Sequence, residues 1–187
     1  NAIWSLLGLV LPLPLALITV PVLTHALGTD RFGILALILA VVGYSSFLDL
    51  GMGRALTKIV AKEIGHPTLP LQSLIWTAIM GLGFLGVVGA IVVSRISPVI
   101  AGDLMRIPAS LRSETISSLR LMALTLPFVT MTSGLRGVLE AHQRFREVGL
   151  LNSFVGIALL TAPVVSLVFS ASLATIAASI LIVRILS

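Results

Sequence analysis

Cysteine is absent from this 187-residue chain, tyrosine occurs once and tryptophan twice, and charged residues make up only 10% of it. Without cysteine there is no disulfide framework and no thiolate metal site. The shortage of charge excludes more. Soluble domains run at about 25% charged and 45–50% apolar, whereas this chain is 57% hydrophobic with a mean hydropathy of +1.14. So much apolar surface cannot be hidden in one ordinary core, because a chain of this size must still cover itself with polar groups. A water-soluble enzyme, a disordered segment and a disulfide scaffold are excluded. Lys+Arg 12 against Asp+Glu 7 leaves a formal charge of +5. In so apolar a chain that excess marks loops at a membrane surface and not a nucleic-acid site.

What the chain does have is long hydrophobic runs. Crossing ~30 Å of hydrocarbon takes about 20 apolar residues, and six candidates qualify: Ala2–Leu27, Gly33–Gly53, Leu74–Ser94, Leu119–Leu139, Val148–Phe169, and a sixth from Leu173 through Arg184. The runs are continuous and do not alternate, which excludes β-barrel strands. The first run is too long for a secretory signal and lacks a basic leader. The expected architecture is an all-α, polytopic transmembrane bundle of about six helices, with residues 1–187 a single transmembrane domain. A chain that starts at Asn1 and stops at Ser187 inside a hydrophobic run reads as a piece of a longer polypeptide.

Loop charge gives an orientation. Arg54, Lys58, Lys62, Arg136, Arg144 and Arg146 lie on the side of the N-terminus; Arg31, Arg95, Arg106, Arg112 and Arg120 lie on the other. By the positive-inside rule the N-terminus is expected in the cytoplasm. Lys58 and Lys62, four apart on a short amphipathic stretch, are expected to rest on anionic lipid. Pro12, Pro14, Pro21, Pro127 and Pro163 fall within spans and are expected to bend them. Gly81, Gly83, Gly86 and Gly89 in the third span point to close helix packing.

The chemical motifs mostly fail. Gly81, Gly83 and Gly86 spell a dinucleotide fingerprint, but mid-span and without the preceding strand it requires. His25 and Asp30 have an acyltransferase-like spacing inside what reads as a simple turn. Glu140 and His142 alone make no zinc site, and no serine has a positioned base. Neither enzymatic chemistry nor a cofactor or metal is expected.

Charge inside the membrane is the remaining signal. An arginine at mid-bilayer costs about 2.5–3.5 kcal/mol on insertion scales, so its presence calls for a reason. Arg184 lies about eleven residues into the sixth span, roughly 16 Å along a helix. Arg54 and Arg136 sit at the ends of spans on the N-terminal side, and Asp49 is the acid at comparable depth. If these converge, three guanidinium groups face one carboxylate, and the surplus suits an anionic ligand, because guanidinium grips phosphate oxygens bidentately. The bland alternatives are snorkelling of Arg54 and Arg136 to headgroups and an Arg184–Asp49 ion pair.

Three stretches resemble a known family. Leu27-Gly28 followed by Phe32-Gly33 is similar to the junction between the first two helices of bacterial polysaccharide flippases. Asp49-Leu50-Gly51 with Gly53 resembles the exit from their second helix. Gly137, Leu139, Ala141 and the run Gln143-Arg144-Phe145 resemble the end of their fourth. Order and spacing fit the N-terminal half of an O-antigen exporter in the multidrug/oligosaccharidyl-lipid/polysaccharide superfamily. The resemblance implies two lobes of six helices, this chain being the first and the second following residue 187. It also implies movement of undecaprenyl-diphosphate-linked oligosaccharide across the bacterial inner membrane by alternating access, with membrane lipids and other polysaccharide-assembly proteins as partners. The rival within the fold is a multidrug and toxin extrusion cation antiporter; some members carry a carboxylate in the first helix, which this chain lacks. A non-transporting scaffold in an envelope-synthesis complex is the rival outside it.

Overall fold

The computed structural model describes residues 12–44, 51–65, 70–105, 107–170 and 172–187, and those residues are helical with short connections. In chain order they form α1 (Pro12–Leu27), α2 (Thr29–Tyr44), α3 (Met52–Gly65), α4 (Leu71–Val99) continuing into a π-helical turn (Ile100–Leu104), α5 (Ala109–Ala123), α6 (Leu126–Ala141), α7 (Phe145–Ser166) and α8 (Leu173–Leu186). Three helical stretches are long and apolar enough to cross a membrane: Leu71–Leu104, Ala109–Ala141 and Phe145–Ser166; Leu13–Leu27 and Leu173–Leu186 are shorter and equally apolar. The architecture is the expected transmembrane helical bundle. The side bearing α3 and the α6–α7 turn is called here the near face. The side bearing the α1–α2, α4–α5 and α7–α8 turns is the far face.

Local chemistry explains the breaks. Gly28 takes φ +78° and donates its N–H to Thr24 O at 3.0 Å, so α1 stops and α2 starts within one residue. Pro98 cannot donate to the Ser94 carbonyl, and the Ser97 hydroxyl supplies the missing bond at 2.8 Å. The backbone then widens into the π turn, where Met105 N–H reaches Ile100 O at 2.9 Å. The expected fourth span, Leu119–Leu139, is in fact the middle of a longer stretch. It begins at Ala109 and is interrupted at Leu124–Thr125, just before Pro127 in the first turn of α6. Proline is tolerated there because a first-turn N–H has no intrahelical partner. The second expected span, Gly33–Gly53, is described as α2 up to Tyr44 and resumes at Gly51, whose φ of +74° opens α3. Asp49 and the first ten residues of the first expected span lie outside the described residues.

Packing divides the bundle into two regions. Toward the far face Leu27, Ile34, Ile38, Leu119, Leu173 and Ile176 belong to one apolar cluster joining α1, α2, α5 and α8. Between α4 and α6 the contact is made by glycine. A Cβ on Gly86 would stand 2.5 Å from Pro127 Cα, and one on Gly134 would stand 2.6 Å from the Leu82 side chain. This close approach lets the Thr130 hydroxyl donate to Leu82 O of the neighbouring helix at 2.8 Å. Gly83 and Gly86 of the third span are thus packing positions, as expected from small-residue interfaces in membranes. Gly137 does the same for α3, a Cβ there falling 2.7 Å from Gly53 O.

Candidate functional site

The near halves of α6, α7 and α8 carry a set of partly exposed side chains, most of them polar. Thr132, Ser133, Arg136, Leu139 and Glu140 on α6, Asn152 and Ser153 on α7, and Val183 and Arg184 on α8 all keep partial exposure. α6 buries Leu126, Thr130, Gly134 and Gly137 against α4 and α3. Ser133, Arg136 and Glu140, at spacings of three and four, form a separate polar stripe on its flank. Along α8 the buried positions are Leu173, Ile176, Ala177 and Ile180. Arg184, four residues past Ile180, continues that inward stripe.

Arg136 and Arg184 are both half-buried and near enough for one positive charge to act on the other, and Glu140, one turn along α6, acts on Arg136 with the opposite sign. Two guanidinium charges against one carboxylate leave a surplus of one positive charge among apolar helices. In a medium of low dielectric such a surplus is costly unless water or an anion offsets it.

The remaining expected residues are placed differently. Arg54 is exposed on α3, a helix that buries Gly53, Leu56, Val60 and Glu63. At 100° per residue Arg54 falls on the opposite face, turned away from α6. The structure therefore places Arg136 and Arg184 within range of each other's charge and holds Arg54 apart at the near face. Lys58 and Lys62 are exposed on the same helix. Two acids escaped the sequence reading. Glu63 is 4% exposed, and the spacing Leu56–Val60–Glu63 does place it on the apolar stripe. Glu114 accepts the Leu173 N–H at 2.7 Å through Oε1 and pairs with Arg31 at 3.4 Å through Oε2. No local pattern announces that role, since both partners are distant in sequence.

Comparison with known proteins bears on this arrangement. The family model described as polysaccharide biosynthesis protein matches residues 1–187. The chain belongs to that family. A Shigella flexneri protein named "Putative O-antigen transporter" is 23% identical over 189 residues, covering all of this chain and 44% of its own length. The chain thus spans less than half the length of that curated relative. No solved structure matches significantly. For this member of the polysaccharide biosynthesis family, the three stretches that carried the resemblance each contain a residue in the left-handed region: Gly28, Gly51 and Gln143 at φ 78°, 74° and 58°. They are turn positions that set where helices stop.

Proposed function

We propose that this chain is the N-terminal lobe of a flippase that moves undecaprenyl-diphosphate-linked oligosaccharide across the bacterial inner membrane from the cytoplasmic side. Arg136 and Arg184 form the cationic grip on the diphosphate, and Arg54 stands at the near-face approach. The observation that carries this reading is that two half-buried guanidinium groups on separate apolar helices lie within range of each other's charge. Such a pair repels itself, and a diphosphate lying between its members offsets the repulsion with bidentate, charge-assisted hydrogen bonds. The partly exposed polar side chains on the near halves of α6, α7 and α8 would give a polar headgroup a wet route while the prenyl tail remains in lipid. Family membership and the name of the Shigella relative support the same process. A surplus of positive charge also disfavours cationic cargo, which weighs against the drug antiporter of the same fold.

The test is transbilayer movement of a fluorescent prenyl-diphosphate oligosaccharide in vesicles containing the full-length protein. Arg136→Ala with Arg184→Ala is expected to slow movement by about tenfold or more, a loss of one charge-assisted contact being worth roughly that factor. An unchanged rate in the double variant removes the assignment of the pair. No movement by the unaltered protein removes the flippase reading itself.

A further inference from the structure

A second pair of arginines lies on the opposite half of the bundle, outside the crevice just described. Arg95 of α4 and Arg120 of α5 are exposed, and neither forms an ion pair among the described residues. Their depth can be read along α4. Trp76, 56% exposed, stands near its start, and nineteen residues at 1.5 Å each put Arg95 about 28 Å further on. That interval matches the hydrocarbon thickness, with an aromatic marking one boundary and a cation the other. Arg95 therefore sits at the headgroup level of the far leaflet.

Directly beneath it is a groove of about 370 Å³, walled by Val87, Ala90 and Ile91 of α4 and by Leu124 and Pro127 at the α5–α6 break, with Ser94 and Arg95 at its end. Its origin is physical. The helix interruption at Leu124–Thr125 and the small side chain of Ala90 leave unfilled a space that a continuous helix with larger residues would close. Arg95 is one turn beyond Ile91 toward the far face. Arg120 is one turn before Leu124 on the exposed side of the antiparallel helix. Both cations thus stand at the same mouth. Around the groove Phe84, Val88 and Val92 are exposed and apolar, a surface of the kind that acyl chains cover.

We infer that this groove holds an anionic phospholipid of the far leaflet, one acyl chain lying along Val87, Ile91 and Leu124 and the phosphate between Arg95 and Arg120. Charge complementarity selects the occupant: the mouth offers two cations and no ion-paired acid, and the wall is hydrocarbon apart from Ser94 beside Arg95. A zwitterionic lipid fills the wall but carries its own ammonium to the mouth.

The inference is tested independently of transport. The full-length protein carries a photoreactive side chain at Val87, or at Phe84 as the reference outside the groove, in nanodiscs of mixed phosphatidylcholine and phosphatidylglycerol. Val87 is expected to label phosphatidylglycerol above its mole fraction, by about fivefold for each arginine near an anionic headgroup. Phe84 is expected to label both lipids in proportion. Arg95→Gln with Arg120→Gln should return Val87 to proportional labelling, and Arg95→Lys with Arg120→Lys should retain most of the preference. Proportional labelling at Val87 in the unaltered protein overturns the inference. So does persistence of the preference in the glutamine variant, or displacement of phosphatidylglycerol by an added prenyl phosphate.

Discussion

Gly86 and Gly83 lie three residues apart on α4 and face the same helix, yet substitution should treat them differently. A methyl at Gly86 meets Pro127 Cα and its backbone nitrogen, which cannot give way; one at Gly83 meets the Met131 sulfur at 3.2 Å, the far end of a flexible side chain. Overpacking against rigid backbone costs about 1–3 kcal/mol, while gain of helix propensity over glycine returns up to ~1 kcal/mol. Gly86→Ala is therefore expected to lower unfolding stability in detergent by about 2 kcal/mol and to weaken the Thr130–Leu82 bond. Gly83→Ala should fall within about 1 kcal/mol of the parent. Gln143 offers the opposite case. It ends α6 in a Schellman arrangement, Arg144 N–H reaching Leu139 O at 3.0 Å and Gln143 N–H reaching Glu140 O at 2.9 Å, with φ at 58°. Glycine takes that conformation without the Cβ penalty. Gln143→Gly should raise stability by about 1 kcal/mol, as read by the midpoint of thermal unfolding in detergent.

At the scale of elements, the far face is held by one carboxylate shared among three helices. Glu114 of α5 pairs with Arg31 of α2 and receives the first amide of α8, while Ser172 accepts from Ala174 N–H at 3.3 Å. Glu114→Gln keeps an oxygen for Leu173 and loses only a pair whose arginine is 39% exposed, a loss of at most about 1 kcal/mol. Glu114→Ala leaves the amide without its acceptor and should cost about 1.5–3 kcal/mol. A single-cysteine accessibility assay at the start of α8 distinguishes the two, only the alanine variant loosening that turn. Much at this scale was legible beforehand. Hydrophobic run length located the membrane helices, and proline located the break before α6. The start of α5 at Ala109 was missed because Arg112, Glu114 and Arg120 make that segment polar, and hydropathy reports the part of a helix inside hydrocarbon, not its overhang. The Glu114 clasp was illegible for another reason: it joins residues whose proximity only the tertiary fold creates.

For the whole molecule, the distribution of charge through the bilayer matters more than its total. Depth along the spans groups Arg54, Arg136 and Arg184 as three. The helical register, which depth ignores, separates Arg54 from the other two. Glu140, which makes no metal site with His142, tempers the Arg136 charge one turn away. Removing that opposing charge should strengthen the attraction of an anion to the pair. Glu140→Gln is expected to tighten binding of a prenyl diphosphate a few-fold in the full-length protein, measured by titration in nanodiscs. Equal binding in the variant would mean that the stripe of Ser133, Arg136 and Glu140 does not face the headgroup.

The shared carboxylate also has a consequence for biogenesis. A chain made on the ribosome enters the bilayer from its N-terminal segments onward, so α5 is threaded into the membrane before α8 has been translated. Leu173 follows Glu114 by 59 residues, so the acceptor is synthesised before the amide it receives, and docking of α8 is expected to depend on an α5 already in place.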